Sequence, residues 1–251
     1  MTEPVRLLVD AGNSRIKWAL VTDGGLDAGE PFPSEAAGLA RWLDDHWSSL
    51  PTPATVAVSN VAGAVTAAAL AGWIARQWQL EPHFAQVQAR GYGIATRYQP
   101  PERLGVDRWL ALVGARAAFP GALCVVDCGT AITLDALDAD GVHRGGLIAP
   151  GLGLMHNALV QAAPGLSVAA ENHHGVLATA TAAGIAGGIR QAALGLIERS
   201  LALIAAEWHT EPLLLLTGGD AAGLGGDLRI PYRHRPHLVL EGLLAITESA
   251  R

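Results

Sequence analysis

ALCVVDCGTAITLDAL, the stretch from Ala122 to Leu137, joins a short apolar run, an acidic-glycine turn and a second strand-like run. A related stretch, LLVDAGNSRIKWAL, lies near the N-terminus from Leu7 to Leu20. Aligning Asp10 with Asp127 matches D-x-G at the turn and Ala-Leu at the far end of the second run. Solenoid repeats recur every 20–50 residues or so, and these two stretches are much farther apart. The spacing therefore indicates two related halves rather than a repeat array.

The composition is that of a folded globular protein with no basic surface. Of the 251 residues, 50% are hydrophobic and 16% are charged, and the formal net charge is −6. This balance excludes a disordered chain, and the acidic charge makes nucleic acid an unexpected partner. The two cysteines, Cys124 and Cys128, cannot form a disulfide framework. We therefore expect buried thiols in a reducing cytoplasm.

No stretch of the chain predicts a membrane span or a signal peptide. The N-terminal segment MTEPVRLLVD has an acidic residue and a proline before a short apolar run, which is typical of a first strand. Two segments long enough to span a bilayer lack formal charge, Pro51 to Ala75 and Gly145 to Ala170. Both are interrupted by glycine and proline, so the sequence predicts buried core and no membrane partner.

In the first half, strand-like and helical patterns alternate. The strands are predicted at Val5–Val9, Ile16–Val21 and Thr55–Val61, with a turn at Asp10–Ser14 and a hairpin signal at Asp23–Gly25. Three helices are predicted: one that begins at Ser34 as N-cap, one over Ala64–Leu80 and one from Leu104 to about Phe119. In the second helix, the residues expected to face the sheet are Leu70, Trp73, Ile74 and Trp78. Pro120-Gly121 stops the last helix, which predicts an N-terminal half over 1–119 and a C-terminal half over 120–251.

The second half repeats this local pattern. After the opening stretch, Asp138–Gly141 predicts a second hairpin turn, and Arg144–Gly153 is expected to be a glycine-rich connection. Helices are predicted at Leu154–Ala162, Thr181–Ala206 and from Leu238 to Ile246, and a buried strand at Leu213–Leu216 leads into TGGD. Strands interleaved with helices throughout predict the α/β class.

The two D-x-G turns are candidate phosphate and cation sites. An acidic residue at a strand end followed by x-Gly leaves backbone N–H groups free to point at an anion. Asp10 and Asp127 would then hold a hydrated Mg²⁺ or another cation beside the phosphates, because hard cations take oxygen ligands. Lys17 could reach a phosphate as a point charge. The alternative is that D-x-G is only a tight turn and Lys17 a solvated lysine, and the duplication favours the functional interpretation.

Four blocks of the sequence carry a resemblance to a known family. They are DAGNSRIKW, Tyr98 with LGVDRW, DCGTAITLD with RGGLIAPG, and LTGGDA, in that order along almost the whole chain. Together they resemble the type III pantothenate kinases of the acetate and sugar kinase/heat-shock ATPase/actin superfamily. The resemblance implies two ribonuclease H-like, actin-like halves, each a mixed sheet flanked by helices, with a cleft between them. It also implies that ATP phosphates lie between the two D-x-G loops, with TGGD near the adenosine.

The resemblance implies an activity as well as a fold. The expected reaction is ATP-dependent phosphorylation of pantothenate to 4′-phosphopantothenate, the first step of coenzyme A biosynthesis. The implied cofactors are ATP, Mg²⁺ or another divalent cation, and a monovalent cation, K⁺ or NH₄⁺. The implied partners are pantothenate, ATP and a second copy of the chain in a homodimer.

Site residues follow from the resemblance by motif position. Asp107 occupies the position of the proton acceptor, Asp10 lies toward the divalent metal, and Asp127 is the monovalent-cation ligand. The implied ATP contacts are Asp10, Ala11, Gly12, Asn13, Ser14, Arg15, Ile16, Lys17 and Thr130. The implied pantothenate contacts are Tyr98, Gly105, Val106, Asp107, Arg108 and Thr181, with Thr179 as an alternative to Thr181. Two positions depart from the pattern: Ser14 replaces a threonine but keeps the hydroxyl, and Cys128 occupies a variable position.

Asp107 and Arg108 match the chemistry of this substrate. Pantothenate has a primary alcohol to be phosphorylated and a carboxylate at its far end. An aspartate can accept the proton of the alcohol, and an arginine can bind a carboxylate through two hydrogen bonds. The alternative is an N-cap aspartate beside a surface arginine, because Asp107 is at the start of a predicted helix.

Two other functions compete with this prediction. One is a kinase or phosphatase of the same superfamily that acts on another small molecule. The other is a nucleotide-binding regulatory or accessory protein, since some members of the family were first described as accessory factors for virulence gene expression. The presence of Asp107, Arg108, Asp127 and Lys17 together favours catalysis, because a pure binder needs no base.

Overall fold

The structure of the chain is a computed structural model that describes residues 4–23, 25–34, 36–166 and 172–249. Its strands are β1 (Arg6–Ala11), β2 (Arg15–Thr22), β3 (Gly25–Ala28), β4 (Phe32–Pro33), β5 (Thr55–Asn60), β6 (His83–Phe84), β7 (Arg90–Gly91), β8 (Ile94–Thr96), β9 (Leu123–Cys128), β10 (Ala131–Leu137), β11 (Val142–Pro150), β12 (Leu213–Thr217) and β13 (Tyr232–His234). Its α-helices are α1 (Ala36–Trp47), α2 (Ala64–Trp78), α3 (Val106–Ala118), α4 (Leu152–Ala162), α5 (Thr181–Trp208), α6 (Ala221–Gly225) and α7 (Leu238–Glu248). Strands and helices interleave along the chain, so the α/β prediction is confirmed.

The chain divides into two compact units. One runs through Ala118 and includes the segment that begins at Leu238, and the other spans Phe119–His237. The predicted division placed all of 120–251 in the second half, whereas α7 packs with the first unit. The physical reason is close packing between α7 and α3, where Gly114 and Gly242 allow the two helix backbones to approach.

The first unit contains a mixed sheet in the order β3-β2-β1-β5-β6. The pairs β3–β2 and β2–β1 are antiparallel, whereas β1–β5 and β5–β6 are parallel. The short strand β4 pairs with β2, and β7 and β8 form an antiparallel hairpin.

The second unit repeats this topology. Its strands β11-β10-β9-β12-β13 are neighbours in that order, with two antiparallel pairs followed by two parallel pairs. Strands β1 and β9, which contain the two aligned aspartates, occupy the same place in their sheets. The duplication read from the two D-x-G stretches is therefore confirmed.

Helices cover the two faces of the first sheet differently. Alternate residues of β1, β2 and β5, among them Val9, Ile16 and Val58, pack into one core with α1 and α2. That core is rich in indole rings: the ring of Trp47 contacts those of Trp73 and Trp78, at centroid distances of 5.9 and 6.1 Å. Helices α3 and α7 contact β5 on the sheet, and α7 also contacts β1. Because strand side chains alternate between faces, the remaining residues point toward the side covered by α3 and α7.

Several predicted elements differ in detail. The hydroxyl of Ser34, the predicted N-cap of α1, donates to the carbonyl oxygen of Asn13 at 2.7 Å, and the residue between Ser34 and α1 lies outside the described residues. The segment expected to be a glycine-rich connection is mostly strand β11, because it pairs with β10 along its length despite its glycines. The inward residues predicted for α2, namely Leu70, Trp73, Ile74 and Trp78, are confirmed as buried. Within the described part of the chain, no helix has both the length and the apolar character needed to cross a membrane.

Candidate active site

The first D-x-G turn connects β1 to β2. Asp10 belongs to the strand itself and is only 7% exposed, while Asn13 and Ser14 are exposed at the tip. The turn is closed by the Gly12 amide, which donates to the Arg15 carbonyl oxygen at 3.0 Å. The amide of Ser34 donates to the Ser14 carbonyl oxygen at 3.2 Å, which ties the tip to the segment after β4. The structure thus gives this loop a fixed backbone, the property that a phosphate-binding turn requires.

Lys17 and Ser59 flank Asp10 in the sheet. Lys17 is the register partner of Asp10 on β2, and Ser59 is its partner on β5. All three side chains therefore lie on the face covered by α3 and α7. Ile16 points the other way, into the core with α1 and α2, so only its backbone can face a ligand. Ser59 was missed by the sequence reasoning; its only signal was a polar residue near the end of an apolar strand.

Ser59 contains an orphaned polar atom. The residue is fully buried, and its Oγ has no hydrogen-bond partner among the described residues. A buried hydroxyl without a partner is costly, so the site has an unused hydrogen-bonding position beside the Asp10 strand. Within the described ranges, no group of three or more His, Cys, Asp or Glu side chains could hold a metal. The carboxylate of Asp10 could hold a Mg²⁺ ion next to a nucleotide, because Mg²⁺ takes one or two carboxylates, several waters and phosphate oxygens.

The start of α3 brings Tyr98, Gly105, Asp107 and Arg108 together. The Arg108 backbone amide donates to Asp107 Oδ1 at 2.8 Å, and Arg108 Nη1 donates to the Tyr98 hydroxyl at 3.4 Å. The guanidinium also lies 5.8 Å from the centroid of the Tyr98 ring. Arg108 is only 8% exposed, so the alternative of a solvated surface arginine is wrong.

Gly105 leaves space for the carboxylate of Asp107. A Cβ at residue 105 would lie 2.6 Å from Asp107 Oδ1, so a side chain there would force the carboxylate of Asp107 to move. Asp107 is the second residue of α3 and is half-buried, with Val106 before it. The glycine of this block therefore has a steric role next to the predicted base.

The second D-x-G turn connects β9 to β10. The Gly129 amide donates to the Ala131 carbonyl oxygen at 3.1 Å, and the Gly151 amide donates to the Thr130 carbonyl oxygen at 2.9 Å. A Cβ on Gly151 would lie 2.6 Å from that same oxygen. Thr130 itself is exposed. The glycine-rich end of β11 thus packs against this turn, which explains why RGGLIAPG accompanies DCGT.

TGGD packs against Asp127. Thr217 is the register partner of Asp127, and the Asp220 amide donates to the Cys128 carbonyl oxygen at 2.9 Å. Gly218 has φ +94, and a Cβ there would overlap Asp127 Oδ1 and lie 2.5 Å from the Cys128 carbonyl oxygen. The carboxylate of Asp127 therefore lies in a backbone cradle that only glycine permits. Such a set of carboxylate and backbone oxygens suits a monovalent cation.

The thiol of Cys128 lies on the other face of β9, in the core of the second unit. Burial raises its pKa to about 12, and the charges of Asp127 and Asp220 add to the effect. Both cysteines are free and buried, as predicted.

Thr181 belongs to the second unit and is the first residue of α5. It lines an apolar cavity of about 450 Å³ between α4 and α5, together with Met155, Leu159 and Gly188. Thr179 precedes the helix, is exposed and is not part of this cavity lining.

Known proteins are similar to this chain over almost its whole length. A family model described as type III pantothenate kinase matches residues 6–202. A type III pantothenate kinase from Nitrosococcus oceani is 42% identical, covering 97% of this chain and 94% of the relative. One from Burkholderia thailandensis is 40% identical, covering 98% and 99%.

A solved structure shares the fold at much lower identity. It is the activator of 2-hydroxyisocaproyl-CoA dehydratase from Clostridium difficile with bound ADPNP, which is 12% identical with a TM-score of 0.55. The match covers 98% of this chain and 96% of that one.

Proposed function

The chain belongs to the type III pantothenate kinase family, and from that premise we infer that it transfers the γ-phosphoryl group of ATP to pantothenate. The product is 4′-phosphopantothenate, which makes the reaction the first step of coenzyme A biosynthesis. One structural observation carries the proposal: a buried arginine, Arg108, lies next to a carboxylate, Asp107, at the start of one helix.

Asp107 acts as the proton acceptor. The oxygen of the pantothenate primary alcohol forms the new bond to the γ-phosphorus, and the bond to the bridging oxygen of ADP breaks. The alcohol proton passes to the carboxylate of Asp107. Arg108 binds the pantothenate carboxylate, and Tyr98 holds the guanidinium by its hydroxyl and its ring face. Gly105 and Val106 complete this contact surface.

The first turn binds the phosphates. Residues 10–17 present backbone N–H groups, and Lys17 neutralises phosphate charge. Asp10 holds the divalent cation, which supplies positive charge to the phosphate oxygens when bound. Support comes from the buried carboxylate and the orphaned Ser59 hydroxyl next to it in the sheet.

The second turn binds a monovalent cation, K⁺ or NH₄⁺, through Asp127, and Thr130 contacts ATP. The support is the cradle formed by Gly218 and the Cys128 carbonyl oxygen around Asp127. A cation there would offset the negative charge of the carboxylate next to a polyanionic nucleotide.

The protein acts as a homodimer in the cytoplasm, and Thr181 contacts pantothenate. Large apolar side chains are exposed on β11 and α4, including Ile148, Leu154 and Leu159. Leu159 also lines the cavity between α4 and α5, together with Thr181. A second copy would remove this surface from water. The two free thiols fit a reducing compartment. Size-exclusion chromatography with light scattering tests the dimer, with a monomer as the contrary result.

One coupled assay tests the reaction. ADP release is measured with ATP, Mg²⁺, K⁺ and pantothenate, and then with each component omitted in turn. We expect full turnover only in the complete mixture, with 4′-phosphopantothenate detected by mass spectrometry. Acetate and sugars in place of pantothenate test the other kinases of the superfamily. A protein that binds ATP but never turns it over would instead be a regulatory or accessory protein.

A further inference from the structure

We propose that the hydroxyl of Ser59 positions the carboxylate of Asp10 for the divalent cation. Ser59 would thus be a positioning residue of the phosphoryl transfer that lies outside all four sequence blocks. The inference rests on the proposed role of Asp10 as the divalent-cation ligand.

The sheet places the two side chains next to each other. Asp10 on β1 and Ser59 on β5 are register partners in a parallel pair. Neighbouring strands lie about 4.8 Å apart, and register partners project from the same face. Asp10 is 7% exposed and Ser59 fully buried. The hydroxyl is therefore held at a fixed position on β5, next to Asp10 and on the side where α3 also packs.

The Ser59 hydroxyl destabilises the fold unless it gains a partner in another state. Its Oγ makes no hydrogen bond with any residue that the structure describes. Alanine would fill almost the same volume without an unsatisfied polar atom. Carboxylates that ligate a metal are themselves held by hydrogen bonds from a second layer of residues. Cation binding orients the Asp10 carboxylate, and the hydroxyl then donates to the carboxylate oxygen that the cation does not use.

The internal duplication provides an independent argument. Strand β12 occupies in the second sheet the place that β5 occupies in the first. Its residue in register with Asp127 is Thr217, which is also a hydroxyl residue and only 1% exposed. Both candidate cation carboxylates thus have a buried hydroxyl at the same neighbouring position. A purely structural serine in β5 would not require this match.

The test compares Ser59→Ala with Thr66→Ala, which removes a buried hydroxyl from α2 on the other side of the sheet. Calorimetry measures the binding of the ATP analogue AMPPNP with and without Mg²⁺. For Ser59→Ala we expect affinity for the Mg²⁺ complex to fall by about 10-fold or more, the scale of such second-layer changes. Binding of metal-free AMPPNP and the KM for pantothenate should not change. Ser59→Thr, which retains a hydroxyl, should recover part of the loss, and Thr66→Ala should bind as wild type.

A stability measurement distinguishes a positioning role of Ser59 from a purely structural one. Without ligand, the Tm of Ser59→Ala should equal or exceed that of wild type, because the variant loses an unsatisfied polar atom. A Ser59→Ala protein that fails to fold, or that melts lower with unchanged Mg²⁺ dependence, overturns the inference. Asp10→Asn tests the proposed role of Asp10 separately from that of Ser59. If Asp10→Asn loses Mg²⁺-dependent binding and Ser59→Ala does not, only the role of Ser59 falls; if neither loses it, the assignment of Asp10 falls.

Discussion

Gly114 of α3 and Gly242 of α7 lie face to face with no room for a side chain on either residue. A Cβ on Gly114 would lie 2.9 Å from the amide nitrogen of Gly242 and 2.6 Å from the Leu238 carbonyl oxygen. A Cβ on Gly242 would overlap the Leu110 carbonyl oxygen. This backbone contact holds the C-terminal helix in the first unit, against the helix that begins with the proposed base and its arginine.

Gly242→Ala should therefore destabilise the first unit. The methyl group meets backbone atoms, which cannot move aside as a flexible side chain can, and overpacking of this kind costs about 1–3 kcal/mol. The matched control is Gly72→Ala in α2, where the nearest atom to a new Cβ is Arg76 Nη1 at 3.5 Å. That change should stabilise the protein by up to about 1 kcal/mol, because alanine favours a helix. Urea denaturation measures both; equal effects would contradict the packing argument.

The sequence predicted what local signals encode. The D-x-G turns at Asp10 and Asp127 are local, and they revealed the duplicated sheet. The spacing of the inward residues of α2 is also local. The packing of α7 against α3 was not predictable, because it depends on two glycines far apart in the chain. Strand β11 resembled a loop for a related reason: pairing with β10 outweighs the weak strand propensity of its glycines.

In the candidate site, too, some features could be predicted from the sequence and others only from the fold. Asp107 and Arg108 are adjacent in sequence, so their chemistry could be recognised before their geometry was known. The contact between Gly218 and Asp127 needed the parallel pairing of β12 with β9. Ser59 is not part of any sequence block, and only the register of β5 with β1 connects it to Asp10.

Asp107→Asn should abolish most turnover and leave the fold intact. The amide keeps an oxygen that can accept from the Arg108 backbone amide, but it cannot take up the alcohol proton. We expect kcat to fall by about 10²-fold or more, the scale of a general base. Glu102→Gln, on an exposed carboxylate shortly before α3, is the control. Circular dichroism checks folding, and near wild-type kcat in Asp107→Asn would rule out the proton-acceptor role.

Arg108→Lys should weaken pantothenate binding more than ATP binding. Lysine keeps the charge but loses the planar group that can make two hydrogen bonds to a carboxylate and stack on Tyr98. We expect the KM for pantothenate to rise by about 10-fold or more, since charged hydrogen bonds contribute about 1.5–3 kcal/mol. Pantothenol, which has no carboxylate, should show a much smaller difference between wild type and variant. Equal losses with both substrates would place Arg108 elsewhere in the reaction.

Gly218→Ala should impair the response to monovalent cations. The new methyl group would overlap Asp127 Oδ1, and φ at this residue is +94, which alanine adopts only with strain. Gly219→Ala is the adjacent control, because a Cβ there meets nothing within 4 Å. A titration of activity with K⁺ should show a several-fold higher half-saturating concentration for Gly218→Ala only. If both variants gave identical K⁺ curves, Asp127 would not be the ligand of the monovalent cation.

The buried thiol of Cys124 should make stability fall at alkaline pH. Burial raises its pKa to about 12 from an ordinary value of 9.0, and the charge of Asp135 adds to the shift. The folded protein thus favours the protonated thiol, so this stabilisation is complete below pH 9 and is lost as the pH rises toward 12. The contribution of this thiol to the slope reaches at most about 1.4 kcal/mol per pH unit.

Urea denaturation between pH 8 and 11 isolates this contribution. Cys124→Ala should lose less stability over the range than wild type, because alanine has no group to ionise. Val126→Ala truncates another buried side chain of β9 and should lower stability at every pH without changing the slope. Parallel curves for wild type and Cys124→Ala would mean that the thiol ionises as readily in the folded protein as in the unfolded chain. Such a result would be incompatible with the buried position of Cys124 in the sheet of the second unit.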